Sequence, residues 1–217
     1  MSVKSKIKAI IFDIDGTLTS NISWLELTKG LGASSKKHSE MFEKYLKDEI
    51  PYKKAKADLI KLWQKTGNAN KEFMTKMFNS WKLKEDAHEV TSYLKKNYQI
   101  IVISGSLDLY VKTVADKLGV EIWYANSKID WDKNGNLIDF HYSKDQAQKK
   151  LDQFEHYKNI NKLRNENFAV IGDGDNDQLL FKKIKMSVLI KKEKPHPELE
   201  PFAYAIIENL SELKTIF

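Results

Sequence analysis

Ala9-Ile10-Ile11-Phe12-Asp13-Ile14-Asp15-Gly16-Thr17 decides how this chain is read. Four apolar residues run straight into two carboxylates spaced two apart. An unbroken apolar run of this length reads as a buried strand. The glycine and hydroxyl residue that follow mark the place where a strand turns into a loop. In an open α/β sheet the ligand crevice lies at the carboxyl ends of the strands, so Asp13 and Asp15 stand where such a fold does its chemistry. Two neighbouring carboxylates can divide labour as nucleophile and acid/base, or hold a hard cation through oxygen. Alone, such a pair is common by chance and reads more readily as a solvated strand end.

Two more apolar runs end in chemically loaded turns. Ile100-Ile101-Val102-Ile103 leads into Ser104-Gly105-Ser106, and Phe168-Ala169-Val170-Ile171 into Gly172-Asp173-Gly174-Asp175-Asn176-Asp177. Alone, the first is a plain turn and the second a polar turn or a calcium-like loop. The later glutamate of an EF-hand loop is missing, which argues against calcium. Lys149 and Lys150 fall between the two runs on a segment, Asp145 to Tyr157, with helical spacing. From Glu85 onward, strands and helices alternate. Helices are predicted over 85–97, 107–118 (stopped by Gly119) and 178–184. Strands are predicted at 120–124 and 187–190. Asn134-Gly135 between Ile129–Asp132 and Leu137–Tyr142 signals a hairpin. Such alternation predicts a parallel sheet with right-handed crossovers. The stretch from Ser20 to Leu83 differs, with apolar residues at helical spacing such as Met41-Phe42-Tyr45-Leu46 and Phe73-Met74-Met77-Phe78. It predicts a helical insert whose core is filled by Trp24, Trp63 and Trp81.

At 217 residues the chain has room for one core domain and a smaller insert. It contains no cysteine, which removes disulfides and a thiol nucleophile and suits a reducing cytoplasm. The start, Met1 to Lys8, is short and basic, and Asp13 interrupts the apolar run after it. Neither a signal peptide nor a membrane span is expected. The net charge of +6 is spread over residues such as Lys44, Lys47, Lys54, Lys61 and Lys65, on the polar sides of helices. That distribution reads as solvated faces rather than a nucleic-acid track.

The order of acid pair, hydroxyl, lysine and acid cluster resembles the haloacid dehalogenase superfamily of phosphatases, and within it the phosphoserine phosphatase group. The likeness spans Asp13–Leu18, Ile101–Leu118, Ala125–Asn126, the Asn134-Gly135 hairpin and Gly172–Asp177. It implies a Rossmann-like α/β core, residues 1–19 and 84–217, with a helical cap at 20–83 that closes over the active site. It implies Asp13 as the nucleophile that forms an aspartyl-phosphate and Asp15 as the acid/base. Ser104 and the Gly105 amide would bind phosphoryl oxygens. Lys150 would set a positive charge over the phosphate, with Lys149 and Lys144 as alternatives, and Asn176 would contact substrate. Mg²⁺ would be held by Asp13, the Asp15 carbonyl and Asp173, with Asp177 either a buttress or a direct ligand. A small phosphorylated substrate, a cytoplasmic setting and a monomer or homodimer are expected.

The likeness fails in the cap. The resembled group places a glutamate shortly after the first motif, where this chain has Ile22 between Asn21 and Ser23. It also uses a cap arginine, which an ungapped alignment matches to Leu59; no arginine occurs from Lys29 to Gln64. The expectation is a Mg²⁺-dependent phosphomonoesterase acting on a small metabolite other than phosphoserine. The alternatives are a phosphoserine phosphatase proper, a phosphomutase, or a non-catalytic binding protein on the same fold.

Overall fold

The computed structural model describes residues 6–191 and 197–217, so residues 1–5 of the basic start lie outside the described residues. In chain order the elements begin with β1 (Ala9–Phe12), α1 (Ser23–Gly30), α2 (Ser35–Leu46), α3 (Tyr52–Gln64), α4 (Lys71–Ser80) and α5 (Ala87–Leu94). Then come β2 (Gln99–Leu107), α6 (Asp108–Leu118), β3 (Ile122–Trp131), β4 (Leu137–His141) and α7 (Gln146–Ile160). β5 (Phe168–Gly172), α8 (Gln178–Lys183), β6 (Met186–Ile190), β7 (Ala205–Ile207) and α9 (Leu213–Ile216) complete the chain. Two compact units result: Met1–Ser20 with Lys82–Asn126 and Ser143–Phe217, and Asn21–Trp81 with Ser127–Tyr142.

In the first unit the strand order is β3-β2-β1-β5-β6-β7. β1 lies between two parallel partners, Phe12 opposite Val102 on β2 and opposite Ile171 on β5. The chain builds outward from β1 through β2 to β3, then restarts on the other side with β5. The reversal beside β1 is a topological switch point, the usual place for a ligand crevice in such sheets. All four β1 residues are buried, as the unbroken apolar run requires. Ile11, Ile101 and Val170 from the three central strands share a core with Phe154 of α7 and Leu180 and Phe181 of α8. α6 ends where predicted: Gly119 adopts a left-handed φ of 59° and accepts the helix terminus there.

The second unit joins α1 to α4 to the hairpin of β3 and β4. Trp63 is fully buried and donates from its indole Nε1 to the Thr28 hydroxyl at 2.8 Å. That hydroxyl also donates to the Trp24 carbonyl at 3.1 Å and lies 2.7 Å from His38 Nδ1. Trp24 stacks on Trp63 with centroids 6.2 Å apart, and Phe140 of β4 meets both rings. Trp63 thus fills a core as expected, whereas Trp24 and Trp81 are half-buried, Trp81 packing edge-on to Phe78. The hairpin is tied to the helices by Gln64 Nε2 donating to the Leu137 carbonyl at 2.9 Å. The Lys71 amide donates to the Gly135 carbonyl at 2.8 Å, and Lys56 pairs with Asp139.

One strand differs from its expectation. β3 runs unbroken from Ile122 to Trp131, where the pattern suggested a strand at 120–124 and a separate one from 129. The polar Asn126-Ser127-Lys128 in its middle breaks the hydrophobic pattern, yet Asn126 and Ser127 are buried. Among the described residues, no helix is long and apolar enough to cross a membrane.

Candidate active site

The backbone after β1 is fixed before any side chain acts. The Asp13 amide donates to the Ile171 carbonyl at 3.0 Å, which holds the strand end against β5. The Ile14 carbonyl then accepts from the amides of Thr17, Leu18 and Thr19. Gly16, at φ 82°, supplies the left-handed residue that this tight loop needs. Asp13 is buried at the strand end and Asp15 is half-buried one turn on. The Thr17 hydroxyl donates to Asp173 Oδ1 at 2.8 Å, so the first motif directly orients the third. On β2, Ser104 is buried, and its Oγ accepts from the Ser106 amide at 3.3 Å.

Lys150 has no exposed surface. It projects from α7, whose start is capped by Asp145 accepting from the Gln148 amide. Its ammonium lies 2.7 Å from Asp177 Oδ1, 2.9 Å from Asp13 Oδ1 and 3.1 Å from Asn176 Oδ1. The approach to Asp13 is an ion pair by distance, and its direction is poor for a hydrogen bond. Burial alone would lower the pKa of this lysine, but Asp13 and Asp177 outweigh it and hold it above the ordinary value. Lys149 and Lys144, the alternatives, are both exposed.

Asp177 is held at both oxygens, since Oδ2 accepts from the Asp173 amide at 3.2 Å. Burial pushes its carboxyl above the carboxylate range, with Asp13 adding to this, even against Lys150. Three carboxylates, Asp13, Asp173 and Asp177, are buried together here, and Lys150 pairs with two of them. Oxygens of Asp13, Asp173 and Asp177 lie within 4.8 Å of one another. An all-oxygen, carboxylate-rich set of this kind suits a hard divalent cation such as Mg²⁺. Gly172 leaves the space in which the Asp177 carboxylate sits, and a Cβ there would overlap it. Gly105 is confined too, because a Cβ would lie 2.9 Å from Gln146 Oε1 and 3.4 Å from Asn176 Nδ2.

Asp13, Asp173, Asp177, Lys150 and Asn176 thus form one connected cluster at the carboxyl ends of β1 and β5. Ser104 and Gly105 stand at the end of neighbouring β2. Three members escaped sequence reasoning. Thr17 was visible only as the hydroxyl closing the first motif, and Ser106 only as the last residue of Ser-Gly-Ser. Gln146, whose amide accepts from Asn126 Nδ2 at 2.6 Å, had no signal.

A family model described as haloacid dehalogenase-like hydrolase matches residues 7–184. The chain is 28% identical over 193 residues to the phosphoserine phosphatase of Methanocaldococcus jannaschii, covering 86% of each protein. It is similar, at 25% identity and a TM-score of 0.70, to a solved phospho-aspartyl intermediate analogue of phosphoserine phosphatase, covering 97% of this chain and 99% of that one. A phosphoserine phosphohydrolase-like protein from Francisella tularensis shares the fold at 20% identity and a TM-score of 0.68, covering 97% of this chain and all of that one. The chain belongs to the haloacid dehalogenase-like hydrolases and, in sequence and fold, is phosphoserine phosphatase-like.

Proposed function

We propose that this hydrolase cleaves a small phosphomonoester through an aspartyl-phosphate on Asp13, with Mg²⁺ as its metal. The observation that carries the reading is Lys150, a buried ammonium 2.9 Å from the carboxylate oxygen of Asp13. A phosphate ester resists attack because its own anionic oxygens repel a nucleophile. A fixed positive charge beside the nucleophile removes that obstacle, and is worth most in a water-poor site. The solved aspartyl-phosphate analogue of a similar protein supports the same intermediate.

In the first step an Asp13 oxygen bonds to phosphorus as the bond to the leaving oxygen breaks. The leaving oxygen takes its electron pair and receives the proton of Asp15, so a neutral alcohol departs. In the second step water attacks the phosphorus, Asp15 takes back a proton, and the bond to Asp13 breaks to give inorganic phosphate. Acid/base help of this kind contributes roughly 10²–10⁴ in rate. Ser104 and the Gly105 amide bind phosphoryl oxygens, and Asn176 contacts the substrate. Asp13, the Asp15 carbonyl and Asp173 would hold the Mg²⁺, which when bound neutralises phosphoryl charge. With both its oxygens engaged by Lys150 and the Asp173 amide, Asp177 is suited to buttressing rather than to direct ligation.

Residues 20–83 are proposed to select the alcohol. Ile22 is 59% exposed and carries no charge, while Leu59 is only 8% exposed and carries none either. Neither can pair with the ammonium or carboxylate of phosphoserine. The proposed substrate is therefore a small phosphorylated metabolite without that zwitterionic head. The cysteine-free chain suits the cytoplasm, as a monomer or homodimer.

The test is release of inorganic phosphate from a panel of phosphomonoesters, with Mg²⁺ and after full chelation. Release that requires Mg²⁺, with a beryllium-fluoride adduct trapped on Asp13, is the expected result. Activity surviving chelation removes the metal role, and an adduct on Ser104 overturns the mechanism. A phosphomutase would return the phosphoryl group to a substrate instead of to water, and a binding protein would release none.

A further inference from the structure

We infer that Ser106 is a positioning residue for the acid/base step, aiming the Asp15 carboxyl at the leaving-group oxygen. The inference rests on the phosphomonoesterase reading above. β1 and β2 run in parallel with Phe12 opposite Val102, so Asp15 and Ser106 lie a similar short distance beyond paired residues. Along β2, residues two apart share a face, which puts Ser106 on the same side as Ser104. Ser106 is 1% exposed, and its hydroxyl donates to Asp15 Oδ2 at 3.3 Å. Its backbone amide meanwhile donates to Ser104 Oγ, also at 3.3 Å. One residue therefore touches both the proton-transfer group and the proposed phosphoryl-binding hydroxyl, through different atoms.

The two contacts have separable consequences. The amide contact occupies an acceptor site on Ser104 Oγ and leaves the Ser104 proton free to be donated elsewhere. Any residue except proline would keep it. The hydroxyl contact belongs to the serine side chain. A carboxyl at the tip of a half-buried aspartate rotates about its last bond, and a donor on one oxygen fixes that rotation. Without it, Asp15 presents its proton less often along the line to the departing oxygen. Misplacement on the order of 1 Å costs up to about 10²-fold in such steps. The distance here is long for a hydroxyl bond.

This role has a signature that general damage to the site lacks. An alkoxide is a strong base and needs its proton as the bond to phosphorus breaks. A nitrophenolate is stable enough to leave without one. Compare kcat/KM, which reports the transfer to Asp13, for ethyl phosphate and 4-nitrophenyl phosphate. Ser106→Ala is expected to lower the ethyl ester value roughly tenfold or more and leave the nitrophenyl value within about twofold. Ser106→Cys keeps a side chain with a weak donor and is expected to fall between, and carries the comparison if the alanine variant does not fold. Equal losses on both esters, or no loss on the ethyl ester, overturn the assignment to Ser106 alone. Wild-type protein that releases phosphate from neither ester, with Mg²⁺ present, overturns the phosphomonoesterase reading and this inference with it.

Discussion

Lys150 and Lys149 are neighbours in sequence with opposite fates. Adjacent residues on a helix point about 100° apart, so only one of a lysine pair can enter the cluster. Lys150 enters without exposed surface and Lys149 stays in solvent. Lys150→Ala removes the charge from the proposed nucleophile and strands Asp13 and Asp177 in a buried, anionic pocket. Activity is expected to fall at least about 10²-fold, and stability by about 3–5 kcal/mol, the usual cost of breaking a buried ion pair. Lys149→Ala is expected to change neither beyond a few tenths of a kcal/mol or about twofold in rate. Parallel phosphate-release assays and thermal melts of the two variants check this, and equal small losses would mean the wrong lysine was chosen. Periodicity could not separate the two residues, because both fall on a plausible helix. Only resemblance to a known motif pointed to Lys150. The acids were easier to see, since Asp13 directly follows the apolar run of β1 and Asp173 comes two residues after that of β5.

At the scale of elements, the helices of the second unit carry a pH-sensitive joint. His38 of α2 is buried, its Nδ1 held by the Thr28 hydroxyl and its ring edge-on to Trp63. Burial lowers its pKa from 6.5 to about 4, so the folded chain keeps it neutral where the unfolded chain takes up a proton. The unfolded state therefore binds more protons between those values, and stability falls as pH drops through this window. His38 contributes full stability above about pH 6.5 and loses up to about 3 kcal/mol of it by pH 4. Denaturant midpoints measured from pH 7 to pH 4 should fall more steeply for the wild type than for His38→Asn, which has nothing to protonate there. Identical slopes would show that the site solvates its proton. No spacing rule could have found this joint, because Thr28, His38 and Trp63 sit on three helices whose packing the sequence does not spell out. The same limit applies to β3, whose buried Asn126 and Ser127 imitate a loop. β1, β2, β5 and β6 were legible because their apolar runs need cover on both faces.

For the molecule as a whole, the charge inventory bears on substrate choice. Discrimination is strong where each buried charge of a substrate finds a partner, and an unpaired one is costly. With Ile22 and Leu59 at the positions that carry charge in the resembled group, phosphoserine is expected to show a kcat/KM at least about tenfold below that of the best small uncharged-alcohol phosphate. A metabolite-phosphate panel measures this, and a clear win for phosphoserine would restore that substrate. The division into two units has a separate consequence, for the order in which the protein is made. The second unit is assembled from two stretches of chain, and Phe140 reaches Trp24 and Trp63 across a sequence gap that contains α5, β2, α6 and the first half of β3. While the ribosome adds the intervening residues at roughly 5–20 per second, α1 to α4 are already outside with their aromatic centre incomplete. For several seconds the nascent helices expose a hydrophobic face that β4 will later cover. That interval opens this chain to chaperone capture and to aggregation before β4 is in place.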